Sequence, residues 1–305
     1  MPCSNPQIYW LGKNGQMVFK RSESIAPWAP RLKPCGKCLG CKLDYARMWA
    51  LRGILELQLH SQSCFLTLTY DNEHLPPAKS LHKPDVQKFW KSLRKKIAPV
   101  KLRYMECGEY GEKNGRPHYH AIVFGWQPND LVYHSSRRGI PNYTSATVFD
   151  CWKRGHIVVG AVSYNSIAYV ARYILKKQVG VGAEEFYGVR RPEYFHMSNK
   201  PGIAHDWIAK YNSSVYPEDK VYFFKKGKLS YQKPPRYFDK YMEEVYYDMI
   251  YEVKEKRQAK APSLDDWAKL FADRLRQGKV QEYRQSRISR PIEEGDYESP
   301  SVCDF

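Results

Sequence analysis

Gly115–Gly125 reads G-R-P-H-Y-H-A-I-V-F-G. Its A-I-V-F run is apolar enough to be a buried strand, and Gly and Pro bound it. A strand projects alternate side chains to one face, so His118 and His120 point together, about 7 Å apart along the chain. Two neutral imidazoles at that spacing can share one divalent cation.

About fifty residues on, Ala168–Lys177 reads A-Y-V-A-R-Y-I-L-K-K. Ala, Arg, Leu and Lys are good helix formers. Tyr169 and Tyr173 stand at i and i+4, on one face and one turn apart. Lys176 lies on or near that face, with Lys177 beside it. A phenol with a pKa of about 10 is a poor nucleophile at neutral pH. A nearby ammonium favours the phenolate, and a metal that polarises the electrophile lowers the demand on it.

In chain order, Phe65–Asp71 (F-L-T-L-T-Y-D), His118-Tyr119-His120 and the Tyr169/Tyr173 helix resemble the three motifs of the HUH endonucleases, which begin rolling-circle replication. The nearest resemblance is to the replication initiators of the Microviridae, of the gokushovirus type. Further strings carry it: P-C-G-K-C-L-G-C at Pro34–Cys41, C-G-E-Y-G-E at Cys107–Glu112, P-G-I at Pro201–Ile203 and K-P-P-R-Y-F-D-K at Lys233–Lys240. It spans roughly residues 1–245. The resemblance implies a ferredoxin- or RRM-like core with a metal on its open sheet face. It also implies a third metal ligand upstream of the first His. Glu109, nine residues upstream of His118, ranks first and Glu106 second, with Glu112 also in the hairpin. Two imidazoles, a carboxylate and open positions suit Mg²⁺ or Mn²⁺.

Periodicity outlines the rest. Residues 1–41 read as mostly irregular, Lys42–His60 as a helix with its stripe Leu43, Ala46, Ala50, Ile54 and Leu57, and Ser63–Tyr70 as a buried strand. A helix after His82 carries Val86, Phe89, Trp90, Leu93 and Ile97 on one face. Its other face holds Lys88, Lys91, Arg94, Lys95 and Lys96. Lys101–Glu106 and Pro117–Gly125 read as strands, Thr144–Trp152 as helical, His156–Val162 as a strand and Asn165–Lys177 as the tyrosine helix. The short link Cys107–Arg116 suits a hairpin rather than a parallel crossover. The expected fold is α+β, an antiparallel sheet backed by helices. The chain divides into a Cys-rich segment and first helix (1–60), a nuclease core (61–180) and a basic then helical C-terminal region (181–305).

Charge points to a nucleic-acid partner without help from the motifs. The formal net charge is +17 and the pI about 9.4. Residues 241–305 carry 14 acids and 11 bases, so the first 240 residues hold a net +20. Residues 79–103 contain nine Lys or Arg and one acid, Asp85. Such stripes are footprints for phosphate backbones, and with interspersed aromatics they suit single strands. Lys88, Lys91, Arg94, Lys95, Lys96, Arg172 and Lys177 are the candidate DNA contacts.

Cys35, Cys38 and Cys41 form C-x2-C-x2-C, and Cys3 is the natural fourth thiolate of a structural Zn²⁺ site. An iron–sulfur ligand run and free buried thiols are the alternatives. No apolar run reaches the roughly 20 residues of a membrane span. The expected place is the bacterial host cytoplasm.

The reading is a nicking and joining enzyme that acts on single-stranded and origin DNA through a 5′-phosphotyrosine. No G-x4-G-K-[ST] loop is present, so a host helicase and polymerase are the expected partners. The alternative is a non-catalytic single-strand-binding protein on an RRM-like sheet, which would need aromatics rather than imidazoles on its open face. A single-tyrosine transposase is a third option.

Overall fold

Ser63–Tyr70 (S-C-F-L-T-L-T-Y) alternates large apolar residues with threonines and aromatics, which fit a pleated surface buried on both sides. It becomes the middle strand of the largest sheet. The computed structural model describes residues 3–24, 30–111, 114–137, 139–176, 182–225, 227–260 and 264–287.

The chain begins with β1 (Gln7–Leu11), β2 (Met17–Val18), β3 (Arg31–Lys33) and α1 (Leu39–Leu57). Then come β4 (Ser63–Tyr70), α2 (Lys83–Lys96), β5 (Arg103–Tyr110), β6 (Pro117–Phe124), β7 (Leu131–Arg137), β8 (Ile140–Ser145), α3 (Ala146–Trp152), β9 (Gly155–Gly160) and α4 (Tyr164–Lys176). The rest comprises α5 (Ala183–Tyr187), β10 (Tyr194–Met197), α6 (His205–Val215), β11 (Val221–Lys225), β12 (Lys228–Gln232), α7 (Arg236–Val245), α8 (Tyr247–Ala259) and α9 (Leu264–Arg287).

The described residues fall into two compact units. The first joins residues up to Tyr45 with those from Glu243 on. It holds a three-stranded antiparallel sheet in the order β2-β1-β3, the N-terminal cysteines, α8 and α9. The second, Ala46–Met242, holds a seven-stranded sheet in the order β10-β5-β6-β4-β9-β8-β7, every neighbouring pair antiparallel. The expected α+β class with an antiparallel sheet backed by helices is the one observed.

Register decides which residues meet. Thr69 lies opposite His118 on one side and His156 on the other; Thr67 lies opposite His120 and Val158. Glu109 lies opposite His118, and Cys107 opposite His120. Directly opposed residues share a face. One face therefore carries Glu109, Cys107, His118, His120, Thr67 and Thr69. The other carries Leu66, Leu68, Tyr119, Ala121 and Glu106. Against this second face α2 and α3 bury Val86, Phe89, Trp90, Leu93, Val148 and Trp152 in one hydrophobic core. Helix α4 lies over the histidine face, against β5, β6 and β10. Gly53 of α1 lets that layer close, because a Cβ there would stand 2.5 Å from Ile167 Cγ2 of α4 and 3.0 Å from Met105 Sδ of β5.

Several expectations need correction. The histidine face is not open over β5 and β6, because α4 covers it there. Residues 1–41 contain the small sheet and the start of α1 rather than irregular chain. The segment before α3 forms the β7–β8 hairpin, so the helix begins at Ala146, capped by Ser145 Oγ, which accepts from Val148 N at 3.2 Å. Strand β10 is an addition to the expected elements. Tyr and Phe favour a strand, but four residues are too few to show a period, and pairing with the edge of β5 fixes them there. Strand β5 also runs on to Tyr110, which puts Glu109 in the sheet rather than in the hairpin loop.

Candidate active site and cysteine cluster

The site is built on three neighbouring strands and one helix. Thr67 Oγ1 is hydrogen-bonded to His120 Nδ1 at 3.0 Å, and Thr69 Oγ1 to His118 Nδ1 at 2.9 Å. Both threonines of F-L-T-L-T thus orient the imidazoles through Nδ1, a role the sequence reading missed although their alternation was visible. His120 Nε2 lies 2.6 Å from Glu109 Oε1, and both side chains are buried. His118 Nε2 lies beside Gly111, where a Cβ would stand at 2.7 Å. His156 ends the same cross-strand row and is exposed.

Helix α4 brings in the first tyrosine. Its N-terminus is a reciprocal cap: Ser166 N donates to Ser163 Oγ at 3.2 Å, and Ser163 N donates to Ser166 Oγ at 2.8 Å. The Tyr169 hydroxyl donates to Glu109 Oε1 at 3.2 Å. Its ring stands edge-on to His120 (5.2 Å) and Phe65 (6.4 Å), and Phe65 stacks on His120 at 5.6 Å. Tyr173 and Lys176 lie on the same helix, one and two turns further on. Their side chains, and Lys177 entirely, lie outside the described residues, as does Glu112.

Imidazoles whose Nδ1 is held by a second group, next to a carboxylate, are the donor set of a divalent-cation site. The close contact of His120 Nε2 with Glu109 Oε1 is a hydrogen bond within that donor set. His118, His120 and Glu109 fit such a group by chemistry and face. Among the described residues, though, the one set of three or more His, Cys, Asp or Glu side chains with donor atoms all within 4.8 Å of one another is the cysteine group.

Glu106 cannot join them. It lies on the opposite face, where its carboxylate accepts from Trp90 Nε1. Burial pushes its pKa up to about 7, although the bond from Trp90 and the charge of Lys83 pull the other way.

The string C-G-E-Y-G now has a physical reading. A Cβ on Gly108 would stand 2.6 Å from the Tyr194 ring and 2.9 Å from Leu81, so only glycine lets β10 and the turn before α2 close on β5. Tyr110 accepts from Leu81 N at 3.0 Å and donates to Arg191 O at 2.6 Å. Gly111 leaves room for His118. P-G-I and K-P-P-R-Y-F-D-K meet in a second cluster. The Arg52 guanidinium lies between the rings of Trp49 (4.2 Å) and Tyr237 (4.0 Å) and donates twice to Ile203 O, at 3.0 and 2.8 Å. Buried Glu56 accepts from Arg103 Nε and Ala204 N, both at 2.5 Å. Burial alone would raise the Glu56 pKa; His60, the Ala204 amide and Arg103 together bring it below the usual carboxylate value.

The basic residues are divided between the two sides of the sheet. Lys88, Lys91, Arg94, Lys95 and Lys96 are all exposed, but on α2, which covers the face opposite the histidines. Lys96 is also paired with Asp150 at 2.7 Å. Arg172, half-buried on α4, lies on the histidine side.

In the other unit, Cys3, Cys35, Cys38 and Cys41 form the cluster already noted. The sulfurs of Cys35 and Cys41 are 3.9 Å apart, and those of Cys38 and Cys3 3.8 Å. Four sulfurs bound tetrahedrally to one zinc at about 2.3 Å would stand about 3.8 Å apart. Cys35 N donates to Cys3 Sγ, and Cys38 N to Cys35 Sγ, both at 3.3 Å, contacts that favour thiolates. Burial pushes the Cys3 and Cys41 thiols up, whereas at Cys38 hydrogen bonds led by that of Ser4 overcome burial and bring its pKa down to about 6. The cluster can hold a metal such as zinc.

Residues 63–178 match the family described as replication-associated protein ORF2/G2P. The chain is 34% identical over 281 residues to the replication-associated protein ORF2 of Spiroplasma virus 4, covering 85% of this chain and 86% of that protein. It is 32% identical over 293 residues to the replication-associated protein VP4 of Bdellovibrio phage phiMH2K, covering 88% and 89%. The replication-associated protein ORF4 of Chlamydia phage 1 is 34% identical over 154 residues, 48% of this chain and 38% of that protein. No solved structure matches.

Proposed function

From the premise that this chain belongs to the replication-associated proteins of Microviridae-like phages, we propose that it starts rolling-circle replication by nicking one strand of origin DNA. The observation that carries this reading is the convergence of Tyr169 of α4 and His120 of β6 on one carboxylate oxygen of Glu109 in β5.

In the proposed reaction the Tyr169 oxygen attacks a backbone phosphorus. A phosphotyrosine bond forms to the 5′ side while the bond to the 3′ oxygen breaks. The phenolic proton leaves and the 3′ oxygen takes one up, so a 3′-hydroxyl is left for the host polymerase. The ester conserves the bond energy, and rejoining needs no nucleotide. His118, His120 and Glu109 would hold Mg²⁺ or Mn²⁺, which when bound supplies Lewis-acid polarisation of the scissile phosphate. Thr67 and Thr69 keep the imidazoles facing it. Tyr173 is the proposed second nucleophile, and Lys176 a charge that stabilises the phenolate or the developing phosphorane. The four cysteines would hold a structural Zn²⁺. A host helicase would supply unwinding. Among the described residues no helix is long and apolar enough to cross a membrane, in keeping with action on DNA in the host cytoplasm.

A stacking protein of the RRM kind is less well supported, because α4 covers β5 and β6 where bases would lie. The deciding experiment is incubation of the chain with circular single-stranded phage DNA and Mn²⁺. A covalent protein–DNA adduct that maps to a tyrosine of α4 is expected; binding without any adduct would overturn the nicking reading.

A further inference from the structure

Among the described residues, strands β11 and β12 pair with each other alone, as a two-stranded antiparallel ribbon. Its two faces differ sharply. Val221 and Phe223 point inward and are buried, and Phe223 stacks on Tyr164 of α4 at 6.1 Å, where Lys225 Nζ also lies 5.2 Å from the ring. The other face pairs Tyr222 with Tyr231 and Phe224 with Leu229. These four are 39%, 63%, 68% and 62% exposed in the same order. Four large apolar side chains on one face of a short ribbon are unusual on a surface with no partner.

The charge around this face indicates the occupant. The segment 218–233 carries five lysines and two acids, Glu218 and Asp219. Lys220 Nζ lies over the Tyr231 ring at 5.1 Å. Glu218 accepts from the Tyr222 hydroxyl at 2.6 Å and pairs with Lys220 at 3.7 Å. A protein partner would be met by apolar contacts and a mixed rim. Exposed aromatic rings with the Lys220 ammonium over one of them, on a lysine-rich ribbon, instead match a single strand, whose bases stack on rings while its phosphates meet ammonium groups. The anchor at Tyr164 lies five residues before Tyr169, about 7.5 Å along the helix axis.

We infer that the outer face of the β11–β12 ribbon is a stacking platform that holds single-stranded DNA next to the nicking site. It takes bases on Tyr222, Phe224 and Tyr231 without reading their sequence. The inference rests on the DNA-nicking reading and extends it to a second contact region on the same helix.

The test compares the full chain with a Tyr222→Ser/Phe224→Ser/Tyr231→Ser variant and with a Tyr222→Phe/Tyr231→Phe control. Fluorescence anisotropy would measure binding to an oligothymidylate of thirty nucleotides, thermal melting would check folding, and gel assays would follow nicking of a short origin oligonucleotide. The expected result is a loss of at least about tenfold in oligothymidylate affinity for the triple variant, with the melting curve unchanged, the Phe control near wild type and nicking of the short substrate retained at saturation. Unchanged affinity in a folded triple variant would overturn the platform and leave nicking standing. Loss of self-association in sedimentation, with affinity kept, would assign the face to a second copy and also overturn it. A triple variant that no longer melts cooperatively would make these rings structural, against the inference. A wild-type chain that binds no single strand would sink both readings together.

Discussion

Glu106 and Glu109 stand three residues apart on one strand and face opposite sides of the sheet. The odd spacing sends one to Trp90 and the other to His120 and Tyr169. Two acids similar in sequence thus belong to different chemistry.

Glu109→Gln is therefore expected to abolish nicking and Mn²⁺ binding, and Glu106→Gln to leave both within a few-fold of wild type. Titration calorimetry with Mn²⁺ and a nicking assay on each variant decide it. Equal losses in the two would refute the assignment of the faces.

Glu106 also makes a stability prediction. Its folded pKa is raised to about 7, above the ordinary value of about 4.3. The native state keeps the proton longer than the unfolded chain, so stability is fully present below about pH 4.3 and is lost as pH rises through 7. Glu106→Gln should remove this component, and denaturant melts at pH 5 and pH 8 should differ less in the variant, by roughly 3 kcal/mol.

Glu56 has the opposite sign. Its folded pKa is depressed by His60, Ala204 N and Arg103 against the effect of burial, so its contribution is present above about pH 4.3 and lost as pH falls below that value. Glu56→Ala leaves Arg103 and the Ala204 amide without that acceptor and should cost about 3–5 kcal/mol at neutral pH, measured by urea unfolding, with the gap to wild type closing in acid.

Gly111→Ala should impair nicking by at least about tenfold with DNA affinity retained, since the proposed phosphate contacts are Lys and Arg elsewhere. The added methyl would meet His118 Nε2 at 2.7 Å and turn the ring. Wild-type turnover in this variant would show that the present placement of His118 is not the working one.

A Cys35→Ser/Cys38→Ser variant should lose about one tightly held zinc per chain by elemental analysis and melt at a lower temperature. It should keep Mn²⁺ binding at the histidines. An iron–sulfur absorption band in wild type would overturn the zinc assignment.

The two tyrosines give the most direct reading of mechanism. If they alternate, Tyr169→Phe and Tyr173→Phe each still form an adduct with a first strand, and only the double variant forms none. Mass spectrometry of the adduct decides. Adduct on one tyrosine alone, lost entirely with it, would make this a single-tyrosine nickase.

Local pattern was enough for much of this. Period-2 alternation in F-L-T-L-T and H-Y-H, the helical spacing of Tyr169 and Tyr173 and the cysteine spacing each depend on backbone geometry within a few residues, so the strand, the helix and the cluster could be read directly. Cross-strand register was not legible. It set Thr67 and Thr69 against the imidazoles, brought Glu109 rather than Glu106 opposite the histidines and left no room for a side chain on Gly108 or Gly111. Nor did the basic stripe on α2 reveal which sheet face it would cover. A helix's amphipathic pattern says that one side is buried, and only the packing of the whole sheet decides against what. Strand β10 and the exposed ribbon face depend in the same way on partners far along the chain, because a short strand gains its stability from pairing rather than from its own residues.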